Sequence, residues 1–289
     1  MNTFFDDFTA KADVLKLYHK KLDELAISYE SIFIETSFGN THVLLTGNEN
    51  GPPLVLLHGS NGCAPVGIEA LIGLCKDYRV YAIDVLGQPN LSDEFRPSMS
   101  NEDYGKWMMD IFARLNIRNV TLVGISFGGF ITWKTLVFDT KRIAQAFLIV
   151  PAGIVNGNPL KALLRVFLPM KRYKRTLKEQ YVKQFLDQLF TEKDEFAFAF
   201  LSKVFRHYRM DFSPIPVVKS SQAKQIKIPV YMVGAENDLL FPGRKMLKRA
   251  KKIFPSLAGT LLLTSSKHVP DKQANVRIEQ WIKDQTLVQ

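Results

Sequence analysis

The stretch TLVGISFGGF, residues 121–130, places three glycines around one serine directly after an apolar run. Gly124 and Gly128 stand two residues before and two residues after Ser126, which gives the pattern Gly-x-Ser-x-Gly. Three interpretations compete for this pattern: a loop that binds phosphate, an ordinary glycine turn, and a serine nucleophile on a tight strand-to-helix corner. The choice between them depends on the sequence around it.

The two alternatives to a nucleophile have weaker support. A phosphate-binding loop requires Gly-x-x-x-x-Gly-Lys-Ser/Thr, and no lysine directly follows these glycines. A dinucleotide-binding fingerprint lies at the first strand-to-helix turn, whereas this cluster follows several predicted strands. A nucleophile corner needs small flanking residues because its backbone is crowded. An ordinary turn also fits the pentapeptide, so the role of Ser126 depends on its partners.

Short apolar runs alternate with amphipathic segments along most of the chain. The runs predict strands at residues 29–37, 41–47, 52–59, 79–87, 119–126, 144–153, 228–238 and 259–268. Helical patterns lie between most of them, and an N-terminal helix is predicted at residues 9–25. This alternation predicts an α/β fold with a mostly parallel, doubly wound sheet and helices on both faces.

One interval, residues 153–226, contains helical patterns and no strong strand. We therefore expect a helical cap insertion at 153–226 between two parts of one α/β core, residues 1–152 and 227–289. In open α/β sheets the ligand crevice lies beyond the carboxyl ends of the strands, so an insertion that leaves there would cover it. The aromatic residues of this cap either line an apolar pocket or pack the cap onto the core.

Composition limits the classes of function. The 289 residues are 46% hydrophobic and 23% charged, which is typical of a globular chain with a large core. The net charge is +10, and residues 153–222 hold 13 Lys or Arg against 6 Asp or Glu. Such a basic surface can attract phosphates or anionic membranes, which is the alternative interpretation. No nucleic-acid motif accompanies this charge, so we interpret it as a solvated helical face.

Our expectations about location and cofactors rest on sequence signals that we do not find. Apolar runs are shorter than the ~20 residues of a membrane span, and the first residues do not resemble a signal peptide. The two cysteines, Cys63 and Cys75, indicate neither a disulfide framework nor a metal site. We expect a cytoplasmic protein with no nucleic-acid partner, no membrane insertion, and no metal or organic cofactor. Whether Cys63 is reactive or buried stays open.

A serine hydroxyl needs a base to accept its proton, and on this kind of sheet the chain order is serine, acid, histidine. His268 follows the last predicted strand and is the only well-placed base among five histidines. The acid is expected in the loop AENDLLFPG after the preceding strand. Asp238 is favoured there because the residues after it turn into the next helix, and Glu236 stays the alternative.

Acyl transfer also needs hydrogen-bond donors for an oxyanion. The backbone N–H of Phe127, directly after the serine, supplies one. The second is expected from the loop HGSNG after an apolar strand, where we favour Ser60 over Asn61. His58 in this loop is expected to brace it and not to transfer protons.

The segments LVLLHG, AIDVLGQPNLS, VGISFGG, VGAENDLLFP and KHV together resemble the α/β-hydrolase fold enzymes. More narrowly, residues 36–59 resemble bacterial carboxylesterases of the naproxen-esterase type. The resemblance implies Ser126, Asp238 and His268 as the catalytic triad, and Ser60 with Phe127 as oxyanion donors. Asp84, in the second segment, matches a turn that is usually structural.

The resemblance also implies a small-molecule ester substrate and an acyl-enzyme mechanism. Two departures from the family pattern occur: Lys267 stands where glycine is common before the histidine, and the spacing from Gly234 to Asp238 is one residue longer. The second departure keeps Glu236 open as the acid. A hydrolase-like ligand-binding or signalling protein with slow or single turnover is the alternative function.

Overall fold

The computed structural model describes residues 3–287, and in this range the strands form one eight-stranded sheet. The strands are β1 Tyr29–Thr36, β2 Gly39–Gly47, β3 Pro53–Leu57, β4 Arg79–Ile83, β5 Val120–Ile125, β6 Ile143–Ile149, β7 Val230–Ala235 and β8 Leu257–Leu263. Their order is β1-β2-β4-β3-β5-β6-β7-β8, and β2 pairs antiparallel with β1 and β4 while all other pairs are parallel. The predicted mostly parallel, doubly wound α/β fold is confirmed.

The central strands are apolar on both faces because helices cover both. Every residue of β7 is buried, and so are five of the six in β5. Edge strand β1 instead has mostly exposed side chains. The chain order reverses at β3, which lies between β4 and β5. In open α/β sheets such a switch point opens a crevice at the carboxyl ends of the strands.

Eleven α-helices occur within residues 3–287. They are α1 Phe8–Glu24, α2 Ala64–Ala70, α3 Asp103–Arg114, α4 Phe127–Phe138, α5 Pro159–Ala162, α6 Leu168–Thr176, α7 Gln180–Leu189, α8 Glu195–His207, α9 Ser220–Ala223, α10 Gly243–Ile253 and α11 Lys272–Leu287. One buried cluster joins the sheet to α3, α4 and α10, and a second contains residues of α1, α2, α6, α7, α8 and α11. None of the helices in this range is long and apolar enough to cross a membrane.

The helix after β3 differs from its pattern, which predicts residues 67–78. Helix α2 begins earlier, with Pro65 in its first turn, and a short 3-10 helix at Ile72–Lys76 replaces its second half. Gly73 packs against Glu279 of α11: its backbone N–H donates to Oε1 at 2.8 Å, and a Cβ there would lie 2.3 Å from Oε2. The predicted helix therefore stops being α-helical where Gly73 contacts Glu279, and the periodicity of the local sequence does not encode this tertiary contact.

Residues 153–226 leave the sheet after β6 and return at β7. They contain α5 to α9, with a π-helical turn at Leu163–Phe167 that joins α5 to α6, and no described residue among them belongs to the sheet. Helix α8 packs on α1, where Lys203 Nζ lies 2.5 Å from the Asp13 carboxylate. The division of the chain at 152/153 and 226/227 into core and cap stays a prediction.

Candidate active site

Ser126 occupies a strained corner between β5 and α4. Its backbone has φ 54° and ψ −109°, a left-handed conformation that costs energy for a residue with a side chain. The two flanking glycines make the corner possible. A Cβ on Gly124 would lie 2.3 Å from the carbonyl oxygen of Gly128, and one on Gly128 would lie 2.2 Å from that of Leu57. Glycine at both positions is therefore a steric requirement of this corner.

A chain of hydrogen bonds runs from the serine to a buried carboxylate. His268 Nε2 lies 2.9 Å from Ser126 Oγ, and His268 Nδ1 lies 2.7 Å from Asp238 Oδ2. The three residues follow β5, β7 and β8, so the parallel sheet brings together side chains from distant parts of the sequence. In this arrangement the imidazole can accept the serine proton while the carboxylate holds the ring.

Of the two carboxylates in the loop after β7, Asp238 is the one that contacts His268. Its Oδ1 accepts hydrogen bonds from the backbone N–H of Leu240 at 2.7 Å and of Phe241 at 3.0 Å. Burial works against ionisation, but His268 and these donors outweigh it and hold the pKa of Asp238 below its ordinary value. Glu236 instead pairs with Arg244 and lies away from this chain of hydrogen bonds.

The loop after β3 runs beside the serine. A Cβ on Gly59 would lie 3.4 Å from Ser126 Cβ. Within residues 3–287, the backbone N–H groups of Ser60 and Phe127 donate to no other protein group, so both are free for a ligand. The backbone N–H of Asn61 is instead bound by Gln88 Oε1 at 2.7 Å. This bond orients the loop from a residue that the sequence argument did not consider.

His58 stabilises the same loop by hydrogen bonds at both ring nitrogens. The ring is buried, with Nδ1 2.8 Å from the carbonyl oxygen of Gly59, and Nε2 accepts from the backbone N–H of Val85 at 3.0 Å. Burial lowers the pKa of His58, although Asp84 and Gly59 oppose the shift. A neutral histidine satisfied on both sides holds the loop shape and has no free nitrogen for proton transfer.

The loop after β8, which carries His268, is hydrogen-bonded to the end of α7 and the residues that follow it. The backbone N–H of Val269 donates to the carbonyl oxygen of Leu189 at 2.8 Å, and Thr191 N–H donates to the Val269 carbonyl at 3.0 Å. Lys267, which replaces the glycine common in the family, extends its Nζ to within 2.7 Å of the Asp187 carbonyl. The non-glycine residue before the histidine is therefore accommodated by the end of α7.

A small pocket of about 50 Å³ opens beside the two free backbone N–H groups. Its lining comes from three loops and two helices: Ser60, Asn61, Gln88, Arg96, Met99, Tyr104, Phe127, Asp211, Ser213 and Ile215. Most of these residues carry no local motif, so the sequence argument missed them. Of the cap aromatics considered from sequence, none lines this pocket, and Tyr173, Phe185 and Phe200 are buried.

A second Ser-His-Asp chain lies away from this pocket. His42 Nε2 is 2.8 Å from Ser31 Oγ, and His42 Nδ1 is 2.9 Å from Asp84 Oδ2. Ser31 stands in the middle of β1, where Leu44 is its strand partner, and not on a strained corner at a helix N-terminus. It thus offers hydrogen-bond partners like those of Ser126 without the corner, which makes it a useful experimental control.

Cys63 lies next to this second cluster and is fully buried. Burial, with the nearby Asp84 carboxylate, raises the pKa of the Cys63 thiol well above its ordinary value. A buried thiol of this kind is a poor nucleophile. Among residues 3–287, no three His, Cys, Asp or Glu side chains come together as a metal site would require.

Comparison with known proteins agrees with this architecture. A family model described as the α/β hydrolase fold matches residues 52–169, which contain the loop after β3 and the serine corner. The solved structure of naproxen esterase (carboxylesterase NP) from Bacillus subtilis superimposes with a TM-score of 0.81 at 21% identity, covering 94% of this chain and 96% of that one. The chain therefore has the α/β-hydrolase fold.

Two relatives of this chain come from Bacillus subtilis (strain 168). One carries the name "uncharacterized carboxylesterase nap" and is 25% identical over 261 residues, covering 85% of this chain and 83% of its own length. The other, carboxylesterase YbfK, is 23% identical and covers 85% of this chain and 84% of its own length. The resemblance to bacterial carboxylesterases of the naproxen-esterase type is confirmed.

Proposed function

We propose that this α/β-hydrolase is a serine carboxylesterase that cleaves small to medium hydrophobic esters through an acyl-enzyme intermediate. The observation that carries the proposal is the hydrogen-bonded chain from Ser126 through His268 to Asp238 beside two free backbone N–H groups. The names of the relatives point to the same reaction class.

In the first half-reaction, Ser126 Oγ attacks the ester carbonyl carbon as its proton moves to His268 Nε2, 2.9 Å away. Asp238 accepts the hydrogen bond from Nδ1–H and stabilises the imidazolium. The carbonyl oxygen becomes an oxyanion that takes hydrogen bonds from the backbone N–H of Phe127 and Ser60. Phe127 begins α4, so the helix N-terminus adds a favourable potential for this negative charge.

This oxyanion collapses, His268 gives its proton to the departing alcohol, and the acyl-enzyme remains at the end of the first half-reaction. In the second half-reaction, water attacks the acyl carbon while His268 accepts a proton from it, and a second oxyanion forms in the same position. Its collapse breaks the bond to Ser126 Oγ, which takes the proton back from His268, and the carboxylic acid is released. The balance of the reaction is one ester and one water consumed, one acid and one alcohol formed. The residues carry out every proton transfer in this sequence.

The size of the pocket favours a short acyl group. Its volume of about 50 Å³ is far below the ~300 Å³ minimum typical of sites for drug-sized ligands. Met99, Ile215 and the ring of Tyr104 supply apolar walls. We therefore expect acetate and butyrate esters to be cleaved faster than long-chain esters of the same alcohol.

The test combines hydrolysis of p-nitrophenyl acetate and butyrate with intact mass after a fluorophosphonate probe, using wild type, Ser126→Ala and Ser31→Ala. We expect one adduct and multiple turnover in wild type, loss of both in Ser126→Ala, and retention of both in Ser31→Ala. Ser31 is the matched control because it also contacts a His-Asp pair.

Wild type without turnover or adduct would refute the esterase proposal. An adduct with only a single turnover would favour the ligand-binding or signalling alternative. Loss of labelling in Ser31→Ala, with Ser126→Ala still labelled, would show that the nucleophile is Ser31 of β1 and would contradict the mechanism.

A further inference from the structure

The first helical segment of the cap exposes an apolar stripe. Leu160, Leu163, Leu164 and Phe167 follow one another at helical spacings of three, one and three residues, and all four side chains are exposed. Leu160 is 62% exposed, and Phe212, whose ring centroid lies 5.8 Å from that of Phe167, is 57% exposed. We call these five residues the cap stripe. Contiguous exposed apolar side chains of this kind mark an interaction surface.

The stripe is not a consequence of a generally polar or loosely packed helix. On the same helical rod, Val166 of the stripe segment and Pro169, Met170 and Tyr173 of α6 are buried. The rod therefore packs through one side, whereas the side chains of Leu160, Leu163, Leu164 and Phe167 are exposed. The exposed half is therefore available to a surface outside the protein.

The helical part of the stripe lies in a stretch of the chain that contains cations and no anions, whereas Phe212 follows the exposed Asp211. No Asp or Glu occurs between Asp139 and Glu179. Seven exposed basic residues lie on or directly after the stripe helix, and we call them the basic flank: Lys161, Arg165, Lys171, Arg172, Lys174, Arg175 and Lys178. Within residues 3–287 none of the seven forms an ion pair, so their charge is not neutralised by the protein.

The stripe lies beside the candidate active site. Phe212 belongs to the same short segment as Asp211 and Ser213, which line the small pocket together with Ser60 and Phe127. A surface that contacts the stripe would therefore meet the protein close to the pocket.

We propose that the cap stripe and the basic flank form a docking surface for an anionic lipid membrane, with the helix lying in the plane of the interface. Helices with exposed Leu and Phe on one side and Lys and Arg around them bind at the boundary between headgroups and acyl chains. The leucines enter this boundary, and the flank attracts anionic headgroups. No span is involved, and the docking does not depend on the esterase activity.

Charge complementarity favours this partner over a second copy of the chain. A twofold contact across the stripe would bring two basic flanks together without any acidic residue from residues 140–178 to compensate. A nucleic acid would pair with the cations but would leave the leucines exposed, since its phosphates make no apolar contact. An anionic lipid surface matches both the apolar and the cationic component.

The test is co-sedimentation with vesicles of phosphatidylcholine and phosphatidylglycerol in equal parts, and with vesicles of phosphatidylcholine alone. We expect wild type to bind the anionic vesicles at least about tenfold more strongly than the neutral ones. Leu164→Glu should lower binding to the anionic vesicles by about tenfold or more. Val276→Glu is the matched control, because it places the same charge at an exposed apolar position of α11, and it should bind like wild type.

A second variant keeps the test independent of the folding of Leu164→Glu. Lys174→Ser combined with Arg175→Ser leaves the stripe intact and removes two cations of the flank, and it should also lose about tenfold or more in binding. The thermal unfolding midpoint of each variant checks the fold. Ser126→Ala should bind vesicles like wild type, so failure of the esterase proposal and failure of the docking proposal give different results.

Three results would overturn the docking proposal. The first is equal binding of wild type to neutral and anionic vesicles. The second is unchanged binding of both Leu164→Glu and the double cation variant. The third is a wild-type dimer in light scattering that Leu164→Glu converts to a monomer, because the stripe would then be covered by a second copy.

Discussion

Replacing Asp238 by asparagine keeps the shape of the side chain and removes its charge. In the folded protein, Oδ1 accepts from two backbone N–H groups, those of Leu240 at 2.7 Å and Phe241 at 3.0 Å. Only the carbonyl oxygen of an asparagine can take this place, so its NH2 group has to face His268 Nδ1. That nitrogen must then accept a hydrogen bond, which leaves the proton on Nε2, the nitrogen that faces Ser126.

A histidine with its proton on Nε2 cannot accept the serine proton, and its imidazolium loses the neighbouring carboxylate. We expect kcat for p-nitrophenyl butyrate to fall by about 10⁴-fold, which corresponds to roughly 5 kcal/mol of lost transition-state stabilisation. KM should change little, because Asp238 is buried behind the histidine and does not line the pocket.

The assay is steady-state hydrolysis by wild type, Asp238→Asn and Glu236→Gln, with the unfolding midpoint of each variant as a check on folding. Glu236→Gln is the matched control. It removes a carboxylate from the same loop, but that carboxylate pairs with Arg244 and not with His268. It should keep activity within about twofold of wild type, because exposed ion pairs contribute little. If Asp238→Asn kept a tenth of the activity, or if Glu236→Gln were the inactive variant, the assignment of the acid would be wrong.

Three further predictions concern acid stability, the serine corner and the loop after β3. The folded-state pKa of Asp238 is lowered, so its ionised form stabilises the fold above the unfolded pKa of about 3.9, and this contribution is lost as pH falls through the lower folded value. Urea unfolding at successively lower pH should accordingly show a smaller acid-induced loss for Asp238→Asn than for wild type; an identical loss would contradict the lowered pKa. Gly128→Ala should lower the free energy of unfolding by about 3 kcal/mol, because the new Cβ meets the Leu57 backbone. Gly59→Ala should lower it by less than about 1 kcal/mol, because a Cβ there makes ordinary contacts. Urea unfolding midpoints measure both variants, and equal midpoints would contradict a steric requirement for glycine at position 128. Gln88→Leu should lower kcat by about tenfold and change KM less, because the Gln88 side chain holds a backbone N–H of the loop that carries an oxyanion donor; an unchanged kcat would show that the loop holds its shape without this bond.

The fold was largely predictable because its main signals are local. Strands covered on both faces are continuous apolar runs, and β5 and β7 show this in sequence and in burial. The break after α2 was not predictable, because it involves contact between Gly73 and Glu279, residues more than two hundred positions apart. The spacing of apolar residues in a segment predicts only which of its faces is buried, and it gives no information about a contact with one distant side chain such as the Glu279 carboxylate.

Some features of the candidate site could likewise be predicted from the local sequence, and others could not. Ser126 and its glycines form one pentapeptide, and the crowding of Gly124 against Gly128 lies within it, so the pattern favours a tight corner. The contact of Gly128 with Leu57 comes from the tertiary structure. The choice between Asp238 and Glu236 stayed open in the sequence, because both lie in one loop after one strand. The structure places Asp238 against His268 and Glu236 against Arg244, which depends on how that loop turns.

By itself, the sequence determined the α/β class, because strands and helices depend on residues a few positions apart. It also predicted Ser126, an acid in the loop after β7 and His268, from the position of each beside a predicted strand. Only the tertiary structure decided which carboxylate meets the histidine, which loops line the pocket, and that Leu163 and Leu164 are exposed. An apolar stripe at helical spacing reads as a buried face in any sequence. Its burial depends on what packs against the helix, and in the described residues nothing covers this half of it.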